Sequence, residues 1–471
     1  MSEKDISALV DRYRQTQESG KNAYFDADEF GDLAEYYDSK DDLDTVRKII
    51  DSGLNIHPGN LSLLVKKAKL EVYDGEYEQA LKLLQSSLEY DFDLYLLRIE
   101  CYLQLGEYKQ ALKLSEELLE REDNEPMENV LSELGFLYAE ADLHKEAILY
   151  FENSLHYNPE NADVLADISY SYEVLNDYDS AIGVMNRLLD IEPYNYEAWV
   201  NLGKYYSLKD ELEKAIDAFD FALTINESDN NVLKLKAHCM SLYGRVSEAI
   251  DIFRELLSDN TRDTSIYLSL AECYQSLEMF DEALSHLEMY KDTESETNEL
   301  LIKQAYILFQ KEEYQKALSI IEKGLEEDPY STELNMIGGE IELRREHYRE
   351  AEIYFLSIFP QNEENFQLLD KLAILYIKEE DYSQAAYYAE KMLSLDTENL
   401  AVKERLALIY FEIDDKEQFN NILNQFTDKE LLELFKLIYT PQSSSYFDRD
   451  MLISYLNKAR EARTLFKNLK Y

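Results

Sequence analysis

Residues 196–229 read YEAWVNLGKYYSLKDELEKAIDAFDFALTINESD, and the apolar positions in this stretch decide the fold. Trp199, Leu202, Gly203 and Tyr206 follow one another at steps of three, one and three. Ala215, Phe219 and Ala222 do the same at steps of four and three. Such steps gather side chains onto one face of a helix, so the stretch predicts two amphipathic helices in succession. Short polar turns link the two halves in neighbouring stretches, as in Leu175-Asn176-Asp177-Tyr178 and Leu105-Gly106-Glu107-Tyr108.

Working outward, the same arrangement repeats. Ala147, Ala181, Ala215, Ala249, Ala283, Ala317, Ala351 and Ala385 stand 34 residues apart. Upstream, Ala111 precedes Ala147 by 36 and Ala80 precedes Ala111 by 31, while Val46 and Phe419 extend the phase to either side. Twelve units result, from about Ala27 to about Leu431. A fixed period of this length marks stacked supersecondary units, none of which buries enough surface to stand alone. A second small position recurs in the first helix, at Ala68, Gly135, Gly203, Ala237, Ala271, Ala305, Gly339, Ala373 and Ala407. Two helix backbones can approach closely there, whereas a leucine would overpack at a cost of roughly 1–3 kcal/mol. Tyr138, Tyr172, Tyr206, Tyr274, Tyr376 and Tyr410 are large enough to fill the groove between neighbours. With only 13 glycines and 7 prolines in 471 residues, the composition suits long helices and disfavours a sandwich, a barrel or a disordered chain.

Trp199, Leu202-Gly203, Tyr206, Ala215, Phe219 and Ala222 together resemble the tetratricopeptide repeat motif. Glu227 stands where that motif closes on proline, although Pro58, Pro159, Pro193 and Pro329 hold the place in other units. The resemblance implies an all-α, right-handed superhelical solenoid of about twelve antiparallel helix pairs, with first helices lining a concave face that binds peptides or proteins. It divides the chain into an N-terminal capping segment over 1–26, the superhelix over 27–431, and C-terminal helices over 432–471. The 31 and 36 spacings around Ala111 predict a shortened turn and then a longer connection through Arg121 to Pro126. Phe419, in place of a small residue, predicts a second helix that packs differently in the last unit. Pro441 to Ser445 reads as a break before a net-basic final helix from about Arg449 to Leu469, expected to cover the apolar end of the stack, with docking on the acidic surface or on a separate partner as the alternatives.

Charge restricts the partners. Against 97 acidic residues stand 47 lysines and arginines, for a net charge of -50. Such a surface repels nucleic acid and accommodates basic protein segments, while also serving solubility. Cys101, Cys239 and Cys273 are too few and odd in number for a disulfide framework, and fall in first helices as core residues. The polar first 21 residues do not read as a signal peptide, and no run of about 18 apolar residues could span a bilayer. A cytoplasmic location is expected.

Function follows from the face that the family resemblance turns inward, at the second, fifth, ninth and twelfth positions of each unit. Early and middle units place there Asp28, Glu35, Asp38, Asp163, Tyr170, Glu173, Glu197, Lys204, Lys234 and His238. Later units place there Leu268, Glu272, Glu299, Tyr306, Phe309, Glu333, Met336, Glu340, Leu343, Asp370, Ile374, Ile377, Glu404, Leu408 and Phe411. This second set joins a ladder of carboxylates to apolar side chains that the core does not obviously need. A segment with basic and apolar residues would suit it. Lys204, Lys234 and Asn201 do not form the dense basic clamp that some relatives use for a peptide carboxylate. The six histidines form no metal-binding motif, no glycine-rich phosphate loop is present, and no cofactor is expected. The expectation is a non-enzymatic scaffold or adaptor, with self-association through the solenoid as the alternative and a cryptic enzymatic site as the least favoured reading.

Overall fold

The computed structural model describes residues 3–19, 23–85, 91–122, 124–258, 263–293, 297–438 and 448–468. Among them are twenty-seven α-helices, one short 3-10 turn and no strand. The chain divides into two compact units, residues 1–249 and 250–471, each an all-α stack of helix pairs. Within each unit a first helix packs on its own second helix, and that second helix packs on the first helix of the next pair.

Local chemistry sets the helix boundaries. First helices begin after a side-chain cap recurring near the 34-residue period: Asn161, Asn195 and Asp229 in the first unit, Thr297, Ser331, Asn365 and Asn399 in the second. Each accepts a hydrogen bond from a backbone N–H in the first turn, satisfying a donor the helix cannot satisfy itself. The turn inside each pair needs one residue in the left-handed region. Gly75, Gly106 and Gly244 supply it in three pairs, whereas Asp41, Asp142, Asn176, Asp210, Glu278, Glu312, Glu346, Glu380 and Asp414 supply it in the others, at φ between 56 and 64°. From Asp142 onward these residues keep the 34-residue interval without a break.

Packing follows the same period. All ten alanines of the second-helix series, from Ala80 to Ala385, are completely inaccessible to solvent. Three glycines of the first-helix series face phenylalanine sixteen residues later. A Cβ on Gly135 would lie 2.5 Å from the Phe151 ring, one on Gly203 2.6 Å from Phe219, and one on Gly339 2.4 Å from Phe355. Where the first residue is alanine, the residue at the same offset is smaller than phenylalanine in most pairs, as with Ala271 and Leu287 or Ala305 and Ile321, all at 1% exposure or less. Trp199, half-buried, stacks on Phe221 at 4.5 Å and donates its indole N–H to the Pro193 carbonyl.

The departures from periodicity have local causes. The connection after Arg121 is built around Glu122, a buried carboxylate that accepts from the N–H groups of Asn124 and Glu125 before the next helix starts at Met127. Residues 86–90, where the 31-residue spacing removes length, lie outside the described residues, as does the break expected at Pro441 to Ser445. In the last pair the second helix, Lys416–Leu423, is only 8 residues long, and Phe419 is fully buried against Phe411. At the N-terminus the helix Glu3–Ser19 lays Leu9, Val10 and Tyr13 on Phe25, Phe30 and Tyr37.

Candidate partner-binding face

All fifteen later-unit residues sit on five first helices of the second unit: Ser265–Ser276, Asn298–Gln310, Thr332–Arg344, Phe366–Lys378 and Leu400–Ile413. None of the fifteen is buried. The second, third and fourth of these helices pack against one another in sequence. Equivalent positions therefore line up across the stack as columns, with one rung per helix.

Two of the columns are apolar. Phe309, Leu343, Ile377 and Phe411 form one, and Tyr306, Ile374 and Leu408, interrupted by Glu340, form the other. The expectation that the core does not need these apolar side chains is corrected in part. Met336, Leu343, Ile377 and Phe411 lean onto the buried cluster around Leu372 and Leu406, and Phe309 leans onto the one around Ala305 and Ile321. They are half-buried because a first helix packed on both sides leaves only a strip of its surface free. Tyr306 and Leu408 keep 44% and 41% of their surface exposed and are the more open side chains of the floor.

The carboxylate ladder is also altered. Lys303 binds Glu272 at 2.6 Å, Lys371 binds Glu340 at 2.7 Å, and Arg405 binds Asp370, each pair joining one first helix to the next. Arg344 adds a second partner to Glu340 at 3.3 Å and places its guanidinium 4.5 Å above the Phe309 ring. Burial works against the charge on Arg344, yet hydrogen bonds to Tyr314 and Glu340 outweigh it and raise its pKa above the ordinary value. Half of the expected acidic groups are thus neutralised inside the protein. Glu299, Glu333 and Glu404 make no ion pair among the described residues. A sequence signal did exist for the missed cations: Glu272 to Lys303 and Glu340 to Lys371 are each 31 residues, one period less one helical turn.

Elsewhere some inward positions are engaged within the protein, while Tyr170 stays 58% exposed. Glu35 is held by Lys66 at 2.7 Å, and Glu173 accepts from the Tyr205 hydroxyl at 2.8 Å. Lys204 donates to Asn201 at 3.4 Å, so two members of the weighed clamp contact each other. The three cysteines are buried free thiols, and burial pushes the Cys101 thiol up to about 12, far from a reactive thiolate. No group of histidine, cysteine or carboxylate side chains among the described residues could hold a metal ion, and none of the described helices is long and apolar enough to cross a membrane.

The final helix, Arg449–Asn468, sets Leu452 and Leu456 into the buried cluster with Phe419, Phe426 and Leu434. Arg460, only 3% exposed, reaches the carboxylate and the backbone carbonyl of Asp414, and Arg449 pairs with Asp428 at 2.8 Å.

Comparisons with known proteins give a consistent picture. Two models described as "Tetratricopeptide repeat" match residues 71–134 and 134–196, and one described as "Tetratricopeptide repeat protein 21 ARM repeat" matches residues 200–359. No curated protein matches the chain. Among solved structures, a tetratricopeptide repeat protein from Parabacteroides merdae is 20% identical over 52% of this chain and 96% of its own, with a TM-score of 0.38. The APC/C hetero-tetramer Cut9-Hcn1 is 14% identical over 86% of this chain and 93% of its own, also at 0.38. YrrB, described as a TPR protein with an unusual peptide-binding site, is 18% identical over 39% of this chain and 95% of its own, at 0.34. At such low TM-scores none of them speaks for this chain's partner.

Proposed function

We propose a function from one premise: the chain belongs to the tetratricopeptide repeat family. Proteins of this family generally mediate protein–protein interaction or assembly, and this one acts as a scaffold or adaptor without catalysis of its own. Its partner segment lies on the first-helix face of the second unit, between Leu268 and Phe411, and carries apolar and basic side chains. The observation that carries the reading is the pair of half-open apolar columns beside Glu299, Glu333 and Glu404. Apolar side chains supply affinity on desolvation, and uncompensated carboxylates select the sign of the partner's charge.

The final helix serves as the C-terminal cap of the second unit, with Glu3–Ser19 as its N-terminal counterpart in the first; each lays apolar side chains on the outermost pair of its unit. Net negative charge disfavours nucleic acid as a direct partner, and the three buried free thiols suit a cytoplasmic setting.

The test is a partner isolated with the full-length chain and re-measured against Glu299→Gln/Glu333→Gln/Glu404→Gln. Affinity should fall and its dependence on salt should flatten. Unchanged affinity and an unchanged salt slope would remove the face from consideration. This triple replacement is cleaner than one including Glu340 and Asp370, whose loss would strand Lys371 and Arg405.

A further inference from the structure

Resting on that reading of the second-unit face, we infer that its occupant is an amphipathic α-helix of about five turns with one basic flank, laid across four first helices. The shape of the floor selects a helix. Tyr306 and Phe309, Ile374 and Ile377, and Leu408 and Phe411 are pairs three residues apart on their helices, so three of the four rungs are two apolar side chains wide, and Glu340 beside Leu343 narrows the remaining one. An extended or polyproline segment presents a single file of side chains to such a face and would leave one column uncovered. The apolar stripe of an amphipathic helix spans 100° or more and covers both.

Spacing agrees with width. Packed helices lie about 8–10 Å apart, and seven residues of α-helix advance about 10.5 Å. One heptad of the partner therefore meets one rung. Four rungs enclose three intervals, about 24–30 Å, which corresponds to roughly 16–20 residues at 1.5 Å each.

Charge orients the occupant. First helices of successive pairs run the same way, so their ends form two rims. Glu299, Glu333 and Glu404 lie toward the N-terminal rim, while at the other Arg344 is already paired with Glu340 and Lys378 is followed by the exposed Glu379 and Glu380. A helix with lysines along one flank of its apolar stripe sets that flank against the N-terminal rim, where it meets complementary charge.

The probes are three labelled 18-residue peptides titrated into the full-length chain by fluorescence anisotropy. The first, the matched peptide, is helical, with leucines at heptad a and d positions, lysines on one flank and glutamines on the other. The second carries glutamates in place of the lysines; the third keeps the matched composition with two central prolines. The matched peptide should bind at least tenfold tighter than either other. Tyr306→Ala/Leu408→Ala, altering exposed side chains and checked for unchanged thermal melting, should weaken it about tenfold. Equal binding of the proline peptide, equal binding of the acidic peptide, or indifference to the double substitution overturns the assignment of a basic-flanked helix. So does absence of binding by all three peptides. The broader reading falls separately, by the triple glutamine replacement measured with the isolated partner.

Discussion

Replacing Gly203 with alanine adds a single methyl group, and the structure sets its consequence. The new Cβ would lie 2.6, 2.7 and 2.9 Å from three carbons of the Phe219 ring, where carbon atoms ordinarily meet at about 3.5–4.0 Å. A misfit of about 1 Å against a fully buried ring costs roughly 1–3 kcal/mol. The gain in helix propensity from glycine to alanine returns about 1 kcal/mol, leaving a net loss of up to about 2 kcal/mol. Phe219→Leu alone opens a cavity and costs about 1–2 kcal/mol. The double variant recreates the Ala271 and Leu287 combination that the chain already uses, so the clash disappears and the two losses should not add. The expected coupling is at least about 1 kcal/mol, well beyond the 0.3–0.5 kcal/mol scatter of independent sites. Trp199, the single tryptophan of the chain, sits in the same helix pair, stacked on Phe221. Urea unfolding followed by its fluorescence therefore reports this pair directly, even where a long array departs from two-state behaviour. Strict additivity of the two single losses would refute the packing argument.

Other consequences can be checked alongside it. Glu312, Glu346 and Glu380 occupy the left-handed turn position at the negative end of a helix, so each replacement by glycine should stabilise the second unit by about 0.5–1 kcal/mol in thermal or urea unfolding; destabilisation would contradict the assigned turn. Burial, and then Arg254, lower the pKa of His286, which stacks on Tyr274 at 5.2 Å. The folded state thus binds its proton less readily than the unfolded chain, so its contribution is full above an unfolded pKa of about 6.5 and lost as pH falls from there through the lower folded value. His286→Phe should flatten the stability difference between pH 7 and pH 5 relative to wild type, and identical slopes would exclude the effect. Arg460→Ala should cost the C-terminal end about 1.5–3 kcal/mol through lost hydrogen bonds to Asp414, read as faster hydrogen exchange in Lys416–Leu423. Exchange at the wild-type rate would show that the final helix is held by Leu452 and Leu456 alone.

Much of the fold was legible because one residue type marks one contact. Every alanine of the 34-residue series proved inaccessible, since a side chain that must stay small in every copy leaves its period in the sequence. The partners of those contacts were harder to read. Gly203 and Phe219 are both visible in the motif, but only the approach of ring to backbone shows that their sizes are matched. Turn geometry was legible at Gly106 and hidden at Glu312, because glutamate carries no signal for the left-handed conformation it adopts there. The candidate face was half legible. Register placed all fifteen residues on first helices, but could not show that Leu343 and Ile377 also serve the core. Nor did it reveal that Lys371 and Arg405 cancel Glu340 and Asp370, because those pairs cross from one repeat to the next.

The fit between small residue and ring has a consequence for how such a chain can be inherited. Gly135 with Phe151, Gly203 with Phe219 and Gly339 with Phe355 each lie sixteen residues apart, within a single helix pair. A duplication or deletion of one 34-residue stretch that starts between pairs carries both halves of the fit together, so a new copy arrives already matched. The Lys371 and Arg405 pairs have no such protection, because inserting a copy between their helices separates acid from base. Length can therefore change by whole pairs without breaking this fit, while an insertion between the bridged first helices breaks the charge pairs that join them.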